Sequence, residues 1–507
     1  MGAWHSQCGS FWRVGLEWQL FDFLEIGIAK VQMKKVFRLM RDNQESTPFG
    51  VLCLFLTIAF LTGGGSSGDI LSLAVLRPTS VLIAAFGIAG LKAGNLRANR
   101  IALIMLGLVV GLALCHLLPL PPQIWQALPG REIVVSIDRA AGIEQQWRPL
   151  TLDPNGTQNA LWALMVPAAS MTLALRVEGT QRFWLLTFLL GAVVASACLA
   201  AFQGVSDPSG PAYLYQVTNN GSLVGLFANR NHQALLLAMA FPMLALWLSL
   251  FTKRFAKAVD RRAVGAMLVT LAIAGMLLLL ILVTGSRAGV FLGLLGLLAA
   301  GLIGVHARRT NGAGLRFKQA GPNWSRWLQL SLILCAALLI GLAVALDRDL
   351  AFDRLANRST VDEMRFLLLP TVFSMIRLYG LLGSGLGSFA AVYRIHESDE
   401  LLGPAIVNHA HNDWLELAMT GGIPALLIVL FGAIAALHRM VSLARTWNAP
   451  SERDRFALLG LILIILSAVA STGDYPLRIP SLEAVFAIAM VWAFAGSKCN
   501  EPQVQEA

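Results

Sequence analysis

The sequence predicts an all-α, polytopic membrane protein with about 12 transmembrane helices. Three observations predict it. Of 507 residues, 56% are apolar and only 13% are charged, against about 25% charged in a soluble domain. Apolar stretches recur from residue 49 to residue 496, and in lipid each must satisfy its own backbone as a helix. Basic residues gather in alternate loops, as the orientation rule for membrane helices requires.

The expected spans are 49–63, 70–91, 101–118, 159–175, 183–203, 232–252, 263–284, 288–305, 328–346, 413–437, 456–471 and 481–496. Loops on one side carry 24 Lys and Arg, and the longer segments on the other carry 13. The first set, with both termini, is therefore cytoplasmic. Residues 1–48 form a cytoplasmic segment, 49–346 helices 1–9, 347–412 a large outward loop, 413–496 helices 10–12, and 497–507 a cytoplasmic tail. Met33-Lys34-Lys35, with Arg38 and Arg41, reads as the basic flank of a first helix. Either translation starts at Met33 or residues 1–32 form an interfacial helix; no secretory cleavage pattern is evident.

Within the outward loop, Met364, Leu367, Leu368, Phe373 and Ile376 recur at helical spacing. A surface helix over 362–382, kinked at Pro370, is expected. Gly383-Ser384-Gly385-Leu386-Gly387-Ser388 follows as a flexible turn. Loop 119–158 reads as a small cap with a strand-like stretch from Glu132 to Ile137. Six scattered cysteines without a CxxC pair support neither a disulfide framework nor a zinc site. The net charge of +10 is dispersed among short loops, which speaks for membrane orientation and against a nucleic-acid partner.

His409-Ala410-His411-Asn412-Asp413-Trp414-Leu415-Glu416 stands at the mouth of the tenth span. Ionisable groups there are costly to desolvate, which marks them as functional candidates. His411 is the candidate base, since imidazole accepts a proton near neutral pH, with Asp413 or Glu416 to orient it. His409 and His411 resemble a metal pair, but no third ligand has a supporting spacing, so no metal is expected. Asn412 and Asp413 also suit a helix cap.

Arginines form the second group. Thr284-Gly285-Ser286-Arg287-Ala288-Gly289 is a tight turn between apolar runs. Arg287 is either a snorkelling helix-end residue or a ligand-binding one. Arg230 lies in Asn229-Arg230-Asn231-His232 at the start of the sixth span, where a capped helix N-terminus favours anions. Arg365 and Arg377 share the surface helix but lie about 120° apart around it; Arg365, after Asp362 and Glu363, is preferred. All 13 outward cations are Arg, whose planar fork suits phosphate. Asp474-Tyr475-Pro476-Leu477-Arg478-Ile479-Pro480 either lines the same cavity or is a Pro-bounded loop.

Taken in order, these segments resemble the O-antigen ligase and O-antigen polymerase superfamily of bacterial envelope glycosyltransferases. Phe227 to Ala234 resembles its Asn-Arg-Asn-His segment and Thr284 to Gly289 its Ser-Arg-Ala-Gly turn. Gly383 to Phe389, with His409 to Leu415, resembles its Gly-x-Gly-x-x-Phe and His-Asn-x-x-Leu pair. Leu152-Asp153-Pro154 with Thr157, and Asp474 to Pro480, resemble the exopolysaccharide-type branch. Gln233 departs from the family pattern and is expected to alter the acceptor path.

The resemblance implies a metal-independent, inverting glycosyl transfer without cofactor on the periplasmic face of the inner membrane. The implied donor is a glycan on undecaprenyl diphosphate. The implied roles are catalytic for His411 and diphosphate-gripping for Arg230, Arg287 and Arg365. Asn229, Asn231, His232, Ser286, His409, Asn412, Asp413 and Glu416 support them. The acceptor is lipid A–core (a ligase of lipopolysaccharide biosynthesis), another lipid-linked glycan (a polymerase) or a protein hydroxyl. A lipid-glycan flippase or transporter, or a non-catalytic scaffold, are the readings from other classes.

Overall fold

Long apolar stretches punctuated by Pro, Gly and Asn leave little choice of local structure, and the described residues are helical almost throughout. The computed structural model describes residues 47–66, 71–255, 261–310, 360–402 and 406–496. The expected span 328–346 and loop residues 347–359 lie outside the described residues.

In chain order the helices are α1 (Thr47–Thr62), α2 (Leu73–Ala89), α3 (Ala93–Ala98) and α4 (Arg100–His116). The cap follows, with α5 (Pro122–Gln126), α6 (Glu132–Ala141) and a two-residue antiparallel pair, Pro119–Leu120 with Arg148–Pro149. Next come α7 (Pro154–Ala163), α8 (Met165–Ala174), α9 (Thr180–Gln203), α10 (Arg230–Phe255), α11 (Arg261–Val283) and α12 (Arg287–Thr310). After the interruption come α13 (Thr360–Tyr379), α14 (Phe389–His396), α15 (Asp413–Arg445), α16 (Glu452–Ala470) and α17 (Pro480–Phe494). Among the described residues, six helices are long and apolar enough to cross a membrane: α4, α9, α10, α11, α12 and α15. Shorter apolar helices include α1, α2 and α17. The chain is a multi-pass membrane protein.

Two expectations of secondary structure change. The expected span 159–175 is two helices, because Pro167 has no N–H to offer the carbonyl at the end of α7. The strand expected over 132–137 is the start of α6. Glu132 suits its first turn, and Gly142 closes it in the left-handed region at φ 69°. The β-branched run was a weak local preference that helical packing overrode.

The core centres on α10, which packs most extensively on α12 and also on α9, α11 and α16. Its contact with α12 runs along small residues: a Cβ added to Gly289 would sit 2.5 Å from Ala234 Cβ, and Gly296 lies against the Ala238 carbonyl. Such faces let helix backbones approach closely where lipid offers no hydrophobic drive for association. α16 and α17 form a second close pair, with Gly460 against Ala489. The starts of α10, α12, α15 and α17 and the ends of α11 and α16 converge at one end of this bundle.

Helix α15 is broken. Gly422 is non-helical (φ 60°, ψ −159°), and Pro424 follows two residues later. The break frees backbone groups, and the Gly-rich turn after α13 satisfies them. Ser384 N–H donates to Met419 O (3.1 Å), Gly385 N–H to Thr420 O (2.9 Å), and Ile423 N–H to Gly380 O (2.9 Å). Gly383, Gly385 and Gly387 all have positive φ, and side chains there would strike Thr420, Thr151 and Gly156 respectively. The expected flexible turn is thus a tightly packed plug. Irregular backbone near membrane depth persists only when buried in this way.

Exposed large apolar side chains on α15 begin at Ile423 and continue to Val441. That band is about 28 Å long at 1.5 Å per residue, close to the thickness of a hydrocarbon layer. The charged segment Asp413–Gly421 therefore lies on the N-terminal side of this apolar band.

Candidate active site

Four contacts fasten the mouth of α15 to the end of α16. Asp413 N–H donates to Ser471 O (3.0 Å), and Ser471 Oγ donates to Asp413 Oδ2 (2.9 Å). Asn412 Nδ2 donates to Thr472 O (2.9 Å), and Trp414 Nε1 to Ala468 O (3.1 Å). Asn412 also caps α15, accepting from Leu415 N–H. These anchors hold His411 at φ 51°, the only positive φ of a non-glycine residue among the described residues. A backbone held in a sparsely populated region commonly marks a functional position.

The hub of the cluster is Asp474, 3% exposed. Its Oδ2 accepts from Asn229 Nδ2 (3.1 Å) and Asn231 Nδ2 (2.6 Å), and its Oδ1 from Tyr475 N–H (3.0 Å). Oδ1 also faces His411 Nδ1 at 3.6 Å and His232 Nε2 at 3.7 Å. Asn231 Oδ1 accepts from Ser286 Oγ (2.7 Å), which in turn accepts from Gly289 N–H at the start of α12. The Tyr475 ring lies 4.5 Å from His409, 5.1 Å from His411 and 5.3 Å from His232. One acidic loop residue thus joins the beginnings of α10, α12 and α15.

A second ionic layer lies beside it. Arg478 donates through Nε to Asp413 Oδ1 (3.1 Å) and meets Glu416 Oε1 through Nη2 (3.1 Å). Burial works against its charge, but Glu416 and Asp413 outweigh that and hold its pKa above the ordinary arginine value. Glu416, 1% exposed, also meets His409 Nδ1 (3.2 Å) and accepts from Ala410 N–H (2.9 Å).

The structure therefore gathers Asn229, Asn231, His232, Ser286, His409, His411, Asn412, Asp413 and Glu416 at one end of the bundle. Arg230 and Arg287 are the first residues of α10 and α12 at that end, half-buried and exposed respectively. Arg365 lies on α13, and its side chain is outside the described residues. Among the described residues, no group of three His, Cys, Asp or Glu side chains is arranged for a metal ion.

Two assignments differ from expectation. The carboxylate facing His411 is Asp474; Asp413 and Glu416 are engaged by Arg478 and His409. Gln233 is fully buried, and its Oε1 accepts from Ser196 (2.6 Å) beside Gly225. It braces the loop before α10 rather than lining an acceptor path. Asp474, Tyr475 and Arg478 were visible only as one polar loop with two readings. Their distance along the chain from His232, His409 and His411 carries no periodic signal, and only folding brings them together.

No curated protein matches the chain. Residues 272–430 match the family model described as O-Antigen ligase. That stretch contains the Ser286-Arg287 turn, the Gly-rich plug and the His409–Glu416 cluster, and over it the chain is similar to the O-antigen ligase family.

Proposed function

We propose that the chain transfers a glycan from undecaprenyl diphosphate to an acceptor hydroxyl at the periplasmic face of the inner membrane, with lipid A–core as the acceptor. The observation that carries this reading is the His411–Asp474 pair, set among the helix starts that bear Arg230 and Arg287.

The chemistry follows from those groups. Asp474 faces Nδ1 of His411, which favours the proton on that nitrogen and leaves the Nε2 lone pair to accept a proton. His411 takes the acceptor O–H proton as the oxygen attacks the anomeric carbon. The bond from that carbon to the diphosphate oxygen breaks, and the diphosphate leaves with the electron pair. Attack from the face opposite the leaving group inverts the anomeric centre. Guanidinium groups at 230, 287 and 365 stabilise the charge developing on the diphosphate, and the N-termini of α10 and α12 add positive potential. No metal is needed in this scheme.

A transporter needs charges near the bilayer midplane. Here the charged segment of α15 ends before its lipid-exposed band begins, which favours surface chemistry. A polymerase, using a second lipid-linked glycan as acceptor, shares every feature named, as does transfer to a protein hydroxyl.

The test is purified protein with a polyprenyl-diphosphate glycan and, separately, lipid A–core, a second lipid-linked glycan and a hydroxyl-bearing protein. Expected is transfer to lipid A–core, with an inverted anomeric configuration by NMR and a rate unchanged by EDTA. Transfer only to the second glycan would replace the ligase reading with the polymerase one.

A further inference from the structure

Among the described residues, Arg131 is a buried cation with no ion-pair partner. It is 2% exposed and stands at the N-terminus of α6. Its Nη2 donates to Leu150 O (2.6 Å), while Nε and Nη1 are buried with no hydrogen-bond partner among the described residues. The nearest buried carboxylate of the cap, Asp138, is taken by Arg148 in a two-pronged pair. Both arginines lie over the Trp125 ring, at 5.5 and 5.7 Å. Burial pushes the Arg131 pKa down to about 10, against weaker support from Tyr379 and Glu132, so the group remains charged at neutral pH. A guanidinium kept dry with two idle N–H groups requires an acceptor.

The surroundings say which acceptor. Arg131 lines a small cavity with Leu128, Pro129, Leu378, Tyr379, Leu381, Leu382 and Gly383. None of the His411–Asp474 cluster borders it. The space beside the guanidinium is about 10 Å3, room for one oxygen atom. Leu378 also lines an open cavity of about 420 Å3 with Ser374, Met375, Arg377 and His396. Of the small cavity's lining, Leu381 and Leu382 are exposed. The residue before Leu381, Gly380, is hydrogen-bonded to Ile423, where the lipid-exposed band of α15 begins. The cavity therefore opens at the level of the membrane surface.

We propose that Arg131 is the inner contact of a lipid-phosphate site. One phosphate oxygen accepts from one of the idle N–H groups of Arg131 at the positive end of α6, and the acyl chains lie along Leu381 and Leu382. A water molecule would satisfy the N–H groups but leave the charge uncompensated; a free phosphate would not use the apolar rim. The site anchors the cap, residues 119–151, to the bilayer and is separate from the glycan transfer.

The experiment uses the full chain, purified in detergent and stripped of lipid. Phosphatidylglycerol, diacylglycerol with the same chains, and inorganic phosphate are added separately. Thermal midpoint and retained lipid by native mass spectrometry are read. Phosphatidylglycerol is expected to be retained and to raise the midpoint, and the other two to have no effect. Arg131→Met keeps the stem over Trp125, removes the charge, and should weaken retention by about tenfold or more. An equal response to diacylglycerol, or undiminished retention by R131M, overturns the site. Inorganic phosphate matching phosphatidylglycerol overturns its lipid source. The wild-type arms stand even if R131M does not fold.

Discussion

Replacing Asp474 with Asn separates charge from shape at the hub. The carboxylate accepts from Asn229, Asn231 and the Tyr475 N–H, and faces His411. In the least costly orientation, the new amide keeps its oxygen toward the two Asn side chains. Its NH2 group then meets the Tyr475 N–H, donor against donor. Bonds to a charged acceptor contribute about 1.5–3 kcal/mol and neutral ones about 0.5–1.5 kcal/mol. Two weakened bonds and one lost therefore remove about 4–5 kcal/mol from the arrangement. Loss of the carboxylate also leaves the His411 tautomer unfixed and its developing charge uncompensated, a fall in rate on the order of 10²–10⁴-fold. The assay is glycan transfer by purified D474N, with the thermal midpoint measured in the same detergent. Because Asp474 acts through His411, the double variant D474N/H411N should be no slower than H411N alone. A D474N rate within twofold of wild type, or losses that multiply in the double variant, would refute the reasoning.

Other outcomes follow from the same geometry. His411→Asn should lose transfer yet keep stability, since Asn tolerates the left-handed region; His411→Ala should lose transfer and about 1 kcal/mol of stability as well, and a full rate in either variant removes the base role. Arg287→Lys should slow transfer on the order of 10²-fold, because a point ammonium cannot grip two phosphate oxygens; wild-type turnover would end the bidentate argument. Gly385→Ala, at φ 112° and facing Thr151, should lower the thermal midpoint through a loss of about 2–4 kcal/mol, and an unchanged midpoint would contradict the packed plug. Arg478→Leu removes the guanidinium that Asp413 and Glu416 share, leaving Asp413 with Ser471 and Glu416 with His409 and the Ala410 N–H, and should cost about 3–5 kcal/mol, measured by the same melt.

Much of the candidate site was legible because its residue types are out of place in an apolar chain. His409–Glu416, Asn229–His232 and Ser286-Arg287 stand at span edges, where desolvation makes polar groups conspicuous. What each side chain pairs with was not legible. The sequence neighbours Asp413 and Glu416 were natural partners for His411, yet α15 turns them toward Arg478 and His409. Gln233 looked like part of a ligand path and instead braces a loop. Glu132 to Ile137 looked extended because β-branched residues dominate so short a window.

By itself the sequence determined that this protein is a bundle of membrane helices, and which segments set ionisable groups at the span edges, because burial in lipid leaves the backbone one local solution and makes every ionisable group costly. Tertiary structure alone decided that Asp474 is the hub, that the Gly-rich stretch is a plug, and that α15 breaks at Gly422. Those outcomes depend on hydrogen bonds between segments tens to hundreds of residues apart, and no local preference encodes which distant acceptor a freed N–H will find.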